Sequence, residues 1–90
     1  MKLTVYSKPV CPYCDMAKNF LTKNNFEFDV VDISEDPAAR EFIMSQGHRT
    51  VPQIYWGTEC FVAGGWQGLS AMTPTQVQQR IDNLKLKADQ

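Results

Sequence analysis

The sequence KPVCPYC at residues 8–14 places two cysteines three residues apart, at a point where the residue pattern changes its period. Before it, residues 2–7 alternate polar and apolar side chains, which predicts a β-strand. After it, apolar residues recur every three or four positions as far as Leu21, which predicts an amphipathic helix. Pro12 suits the first turn of that helix, where a backbone N–H would have no partner. We therefore expect both cysteines at a strand-to-helix turn.

Outward from this turn, the pattern predicts three further strands and two further helices. In chain order we expect a strand at 26–33, a helix from Ser34 to Gly47, strands at 51–56 and 60–62, a tight loop at 63–65, a helix that a capping box at Thr73–Gln76 begins, and a fraying tail from Lys85. Strands joined by a helix are expected to be parallel, and strands joined by a short turn antiparallel. The order β-α-β-α-β-β-α predicts an α/β fold, a four-stranded mixed sheet flanked by helices, in one domain at residues 1–90.

The composition excludes several classes of protein. With 43% hydrophobic and 21% charged residues, the chain resembles a globular protein and not a disordered one. Nine Lys plus Arg against ten Asp plus Glu leave a net charge of −1, without the basic excess of a nucleic-acid binder. No stretch approaches the roughly 20 apolar residues of a membrane span, so we expect no membrane partner.

The cysteine count and the N-terminal residues indicate a compartment. Three cysteines are an odd number and too few for a small secreted disulfide scaffold. The first seven residues lack the apolar centre of a signal peptide. We therefore expect a cytoplasmic protein, in which a close cysteine pair is catalytic or metal-binding.

Cys11 is expected where the unpaired N–H groups and positive dipole end of a helix favour an anion. The thiolate is the reactive form of cysteine, and helix N-termini lower the pKa of cysteine thiols from about 8.5 to roughly 3.5–7.5. Lys8 adds a nearby cation, whereas Cys14 lies one turn into the helix. These positions predict that Cys11 attacks a disulfide and that Cys14 resolves the product.

Three other interpretations of the pair were weighed. A zinc site would need Cys60 and His48 as further ligands, but their spacing fits no standard zinc finger. A structural disulfide conflicts with the expected compartment, and two plain core residues would not explain the place before an amphipathic helix. A CxxC beside a βαβ pattern favours redox chemistry, so we expect no metal ligands.

Three segments carry a resemblance to a known family: residues 8–14, TVPQIY at 50–55 and GGWQGL at 64–69. With them, the chain from Lys2 to about Leu84 resembles the glutaredoxins, small dithiol members of the thioredoxin superfamily. The resemblance implies a thioredoxin fold and a glutathione-dependent oxidoreductase that reduces protein disulfides and glutathione mixed disulfides. It further implies a cytoplasmic monomer that holds no bound cofactor, with glutathione as its reductant and disulfide-containing proteins as its partners.

The resemblance also implies a glutathione site. Its residues would be Lys8, Tyr13, Thr50, Val51, Pro52, Gly64, Gly65, Trp66 and Gln67. In the family, a cis Val51-Pro52 bond turns the Val51 backbone toward the cysteinyl part of glutathione, Lys8 meets a carboxylate and Tyr13 forms a wall. The two glycines let the backbone approach, and the N–H groups of Trp66 and Gln67 bind the γ-glutamyl carboxylate.

Three polar residues outside this set are expected to have ordinary roles. Arg40 is a further candidate for a glycyl carboxylate, although helix surfaces carry such charges routinely. His48 is expected to face solvent, and Cys60 to be a small apolar strand residue or a peripheral thiol.

One segment departs from the family pattern. Many glutaredoxins carry acidic residues shortly after the double glycine, whereas this chain has Trp66, Gln67 and Gly68. Charge pairing with the α-amine of glutathione is therefore missing or supplied elsewhere.

Two rival functions remain open at this point. One is a glutaredoxin-like redoxin that thioredoxin reductase recharges and that donates electrons to ribonucleotide reductase. The other is an iron–sulfur or metal carrier in which Cys11 of two chains and two glutathiones hold a cluster. Pro12 argues against the carrier, because cluster-binding members of the family usually have a smaller residue there.

Overall fold

Four strands and four helices form along residues 2–88, the part of the chain that the computed structural model describes. In chain order they are β1 (Leu3–Ser7), α1 (Pro12–Lys23), β2 (Phe28–Asp32), α2 (Pro37–Ser45), β3 (Gln53–Trp56), β4 (Glu59–Cys60), α3 (Gly65–Ser70) and α4 (Pro74–Ala88). None of the helices formed by these residues is long and apolar enough to cross a membrane.

The sheet has the strand order β2-β1-β3-β4. β1 pairs in parallel with β2, with Val5 opposite Val30, and antiparallel with β3, with Val5 opposite Ile54. β4 pairs antiparallel with β3. The four-stranded mixed sheet flanked by helices is therefore confirmed, as is the α/β class.

The direction of β3 corrects one expectation. Although α2 joins β2 to β3, the two strands run in opposite directions, because β3 is antiparallel to β1 and β2 is parallel to it. The link leaves the sheet after Asp32 and returns at Gln53, at the edge where β1 ends. Because α2 has a loop at each end, the chain can return at the same end of the strands. Three loops therefore lie there: the loop after β1, the loop after β2 and the loop before β3.

The two faces of the sheet are packed differently. On one face, Leu3, Val5, Ile54 and Trp56 join a buried core with side chains of three helices: Ala17, Leu21, Leu69, Val77, Ile81 and Leu84. On the other face, Tyr6 and Tyr55 make an edge-to-face pair with centroids 5.7 Å apart. Phe42 of α2 closes this second cluster, 5.3 Å from Tyr55. All four residues of β3 are consequently buried.

Local sequence determined the beginnings of two helices as expected. Pro12 begins α1, which ends at Lys23. At the start of α4, the Gln76 N–H donates to Thr73 Oγ1 at 3.1 Å, and the Thr73 N–H donates to Gln76 Oε1 at 2.9 Å. This reciprocal pair is the predicted capping box.

Other boundaries differ from the prediction. α2 begins at Pro37 and not at Ser34, because the Asp36 side chain accepts from the Ala39 N–H and caps the helix there. The strands are shorter than expected, and β4 is shifted to Glu59–Cys60. The helix α4 continues through Lys85 to Ala88, so a fraying tail is wrong for these residues, and residues 89–90 lie outside the described part.

The segment predicted as a tight loop leads directly into a helix. α3 spans Gly65–Ser70, and its Leu69 is fully buried in the core. The sequence gives little sign of this helix, because two of its six residues are glycines, which have low helix propensity. Tertiary packing of Leu69 outweighs that propensity.

Candidate functional site

Cys11 and Cys14 lie at the N-terminus of α1 and form a disulfide, with their Cα atoms 5.2 Å apart. Cys11 is the N-cap residue, with extended backbone angles. Its sulfur accepts a hydrogen bond from the Cys14 N–H at 3.2 Å. This amide belongs to the first turn of the helix, where N–H groups have no backbone acceptor within the helix. A thiolate at this atom would be stabilised by the same amide.

The two sulfurs differ in their access to solvent. Cys14 is 0% exposed and Cys11 is 7% exposed. Next to Cys11, Val10 is 97% exposed and has a φ of 54°, a conformation that is uncommon for a β-branched residue. Of the two cysteines, Cys11 is therefore the more accessible.

The loop before β3 lies beside the pair. The Val51 carbonyl oxygen is 3.8 Å from the Cys11 sulfur, and the Val51-Pro52 bond is cis. The Gln53 side chain is 5% exposed and donates from Nε2 to the Thr50 carbonyl at 2.9 Å. Within residues 2–88, Gln53 Oε1 has no hydrogen-bond partner. Gln53 is not among the predicted site residues, although a single glutamine at the head of an apolar strand is a usable signal.

The two glycines bring α3 against this loop. Gly64 and Gly65 have φ angles of 87° and 57°, which favour glycine. A Cβ at Gly65 would collide with the Pro52 carbonyl oxygen, so the close approach itself requires glycine. The N-terminus of α3 thus lies directly against the Pro52 loop.

The expected amide site on α3 is only partly available. The Gln67 N–H donates to the Gly64 carbonyl at 3.1 Å inside the helix, so it is already occupied. Among the described residues, the Trp66 N–H has no backbone acceptor. The half-buried Trp66 side chain packs against Phe20, with ring centroids 6.1 Å apart.

A cavity of about 600 Å³ lies between α2 and the loop that ends at Val51, and we call it the cationic groove. The polar residues that line it are Lys8, Ser34, Arg40, His48, Arg49 and Thr50, and the apolar ones are Ile33, Ile43, Met44 and Val51. Of the expected glutathione residues, the groove contains Lys8, Thr50 and Val51. Tyr13 lies outside the groove on the first turn of α1 and is 54% exposed.

The site differs in charge between its two ends, which are the cationic groove beside α2 and the helix α3. Lys8, Arg40 and Arg49 line the groove and are exposed, and no carboxylate within residues 2–88 pairs with them. At the other end, a Cβ at Gly68 would collide with the Ala63 carbonyl oxygen, so this position of α3 cannot carry an acidic side chain. At position 68, the missing carboxylate noted in the sequence therefore has a steric reason.

His48 is not solvent-facing, which corrects the expectation. It is half-buried, its Nε2 lies 2.6 Å from the Tyr55 hydroxyl, and the two rings meet edge to face. Burial raises the pKa of Tyr55 above its ordinary value, and the neighbouring Cys60 adds to the shift. A loop histidine can fill an aromatic cluster in this way without any sign in its local sequence.

Cys60 lies opposite Tyr55 in the β3–β4 pair and is a half-buried free thiol. Among residues 2–88, no three His, Cys, Asp or Glu side chains come together as a metal site. The cysteine pair, His48 and Cys60 thus do not form one ligand set.

Comparison with known proteins places this site in a family context. A model of the glutaredoxin family matches residues 3–61. Glutaredoxin-1 of Gallus gallus is 39% identical over 75 residues, which cover 79% of this chain and 72% of the relative. A glutaredoxin-type protein of Mycobacterium tuberculosis is 43% identical over 54 residues, and the match spans 58% of this chain but only 64% of that relative. The glutaredoxin-like protein NrdH of Lactococcus lactis is 38% identical over 52 residues, or 58% and 72% of the two chains.

Two solved structures share the fold. The glutaredoxin of Brucella melitensis has a TM-score of 0.66 and 33% identity, over 93% of this chain and 87% of its own. The NrdH-redoxin of Escherichia coli has a TM-score of 0.67 over 88% and 93% of the two chains, and at 23% identity it supports the fold alone.

Proposed function

Since the chain belongs to the glutaredoxin family, we propose that it is a thiol–disulfide oxidoreductase in which Cys11 attacks and Cys14 resolves. The observation that carries this proposal is the pair of sulfurs at the head of α1, of which Cys11 belongs to the more exposed residue and accepts a hydrogen bond from a helix amide. A thiolate is the attacking species in disulfide exchange, and the helix N-terminus favours that anion.

The proposed reaction begins from the reduced pair. The Cys11 thiolate attacks one sulfur of a substrate disulfide, the substrate S–S bond breaks, and the leaving thiolate takes up a proton. Cys14 then loses its proton and attacks the Cys11 sulfur, which releases the second substrate thiol. Two electrons pass from the protein to the substrate, and the Cys11–Cys14 disulfide remains.

We assign the return of electrons to glutathione. Two glutathione thiols would reduce the pair and leave as glutathione disulfide, so that no bound cofactor is needed. Lys8, Thr50 and Val51 border the cationic groove beside Cys11, which suits the carboxylate and backbone of the glycyl end. The substrates in this proposal are protein disulfides and glutathione mixed disulfides.

The features of α3, at the other end of the site, favour a different reductant, thioredoxin reductase. There, the Gln67 N–H is occupied and Gly68 excludes a carboxylate, so recognition of the γ-glutamyl group is weakened. The E. coli NrdH-redoxin is a glutaredoxin-like protein with a thioredoxin-like activity profile. The alternative proposal is therefore a redoxin that thioredoxin reductase recharges, with ribonucleotide reductase as a partner.

One experiment separates the two proposals. The oxidised protein is mixed with NADPH and either glutathione plus glutathione reductase or thioredoxin reductase alone, and NADPH consumption is followed. Glutathione-dependent consumption supports the first proposal, and consumption with thioredoxin reductase alone supports the second. Cys60→Ser, which changes the free thiol, is the matched control for Cys11→Ser. Equal activity of wild type and Cys11→Ser in both systems would reject Cys11 as the nucleophile.

A further inference from the structure

The cationic groove is larger and more charged than the glycyl end of glutathione requires. That end contributes one small residue and one carboxylate, whereas the groove measures about 600 Å³, within the range of about 300–1,000 Å³ typical of whole ligand pockets. Three cations line it, namely Lys8, Arg40 and Arg49, without carboxylate partners among residues 2–88. One glycyl carboxylate would leave two cations unmatched.

The groove also offers apolar surface and continues beyond these cations. Met44 is 62% exposed and lines both the groove and an adjoining cavity that reaches Pro37 and Ser45. The adjoining cavity holds Arg40 and Glu41, so its charges balance, whereas Lys8 and Arg49 line only the cationic groove. Val51 also lines the groove, and its carbonyl lies 3.8 Å from the Cys11 sulfur, so an occupant that pairs with these cations would lie beside the reacting pair.

We propose that the cationic groove binds an extended acidic segment of a protein substrate, next to the cysteine whose disulfide Cys11 attacks. This inference rests on the proposed function and adds the class of substrate. Charge complementarity supports it, because carboxylates beside the cysteine would pair with Arg40 and Arg49. The overall charge of the protein does not support it, since a chain of net charge −1 would attract basic peptides.

The test uses three peptides that differ only in the residues around one cysteine: two Glu, two Lys or two Gln on each side. Each cysteine carries a thionitrobenzoate group in a mixed disulfide. The Cys11 thiolate of the reduced protein attacks the peptide sulfur, the mixed disulfide bond breaks, and coloured nitrobenzoate thiolate leaves. Cys14 then releases the peptide thiol, and the colour gives the second-order rate constant.

The expected rate constants follow from the worth of exposed ion pairs. One exposed pair changes an equilibrium by about 1.4- to 5-fold, so two pairs predict that the acidic peptide reacts about 2–25 times faster than the Gln peptide, and that the basic peptide reacts more slowly still. The ratio should fall toward one at about 1 M salt, where the screening length is about 3 Å. Arg40→Gln should lower the ratio about 1.4- to 5-fold, and Arg49→Gln should act similarly. Lys85→Gln, an exposed charge change on α4 outside the groove, should leave it unchanged.

Different failures have different meanings. If wild type reacts no faster than Cys11→Ser with any peptide, the proposed function is wrong. If wild type reacts equally with the acidic and basic peptides, or if both arginine variants keep the full ratio, the proposed function stands and the acidic segment is rejected. A dimer that Arg40→Gln dissociates would assign the groove to a second copy of the chain and would also reject it.

Discussion

The close approach of α3 to the Pro52 loop leads to a sharp prediction for Gly65→Ala. The new methyl group would collide with the Pro52 carbonyl oxygen, and the backbone there has a φ of 57°. The left-handed conformation alone costs an alanine about 1–2 kcal/mol. Because the colliding atom belongs to the backbone of the buried residue Pro52, relief requires α3 or the Pro52 loop to shift, and overpacking of this kind costs about 1–3 kcal/mol more.

Gly47→Ala provides the matched control. Gly47 also has a positive φ, 85°, but a Cβ there would meet nothing within 4 Å, so only the conformational cost applies. In a domain of this size, 1 kcal/mol corresponds to about 4–8 °C in Tm. We therefore expect Gly47→Ala to lower Tm by about 4–16 °C and Gly65→Ala by roughly twice as much.

The assay combines thermal unfolding with the rate of disulfide reduction for both variants. Gly65→Ala should also reduce the rate at a temperature where it is fully folded, because the Pro52 loop lies beside Cys11. Equal losses of Tm for the two variants would show that the collision with Pro52 carries no cost. The close approach would then not be what requires a glycine at position 65.

Three further results are expected. Cys14→Ser should still reduce glutathione mixed disulfides, which need only the attacking thiol, but should lose dithiol reduction of protein disulfides; equal loss of both activities would contradict the resolving role. Gly68→Asp, which would introduce the carboxylate found in many relatives, should lower Tm and should not lower the KM for glutathione, because its Cβ meets the Ala63 carbonyl oxygen; a stable variant with a lower KM would refute this packing. Since burial raises the pKa of Tyr55 above the ordinary value of 10.0, the folded chain should keep the phenol protonated where the unfolded chain ionises it. This contribution to stability is full below about pH 10 and is lost as the pH rises further, so Tyr55→Phe should lose stability less steeply than wild type above that pH in thermal unfolding.

The features that sequence predicted well are those that neighbouring residues determine. The apolar period and Pro12 place the first helix correctly, and the capping box at Thr73–Gln76 places the start of the last. Both depend on interactions within one turn. The position of Cys11 at a helix N-cap follows from the same local rules.

The features that sequence did not predict depend on distant partners. α3 is held by burial of Leu69 despite its glycines, and His48 is held by the Tyr55 hydroxyl across the second aromatic cluster. The opposite direction of β3 likewise depends on which neighbour it pairs with, and the sequence of the connecting helix does not encode that choice. For Arg40, the family resemblance offered a candidate role, but only the fold shows that this helix-surface charge lines a groove.

In the proposed function, different elements supply the reacting sulfurs and the surface that selects a substrate. The reacting sulfurs and the amide that stabilises the anion belong to the first turn of α1, whereas the groove is built mainly by α2 and the loop that ends at Val51. These parts meet where the Val51 carbonyl lies 3.8 Å from the Cys11 sulfur. Under the proposed function, one cysteine pair would serve different disulfides and reductants through changes confined to the groove and to α3.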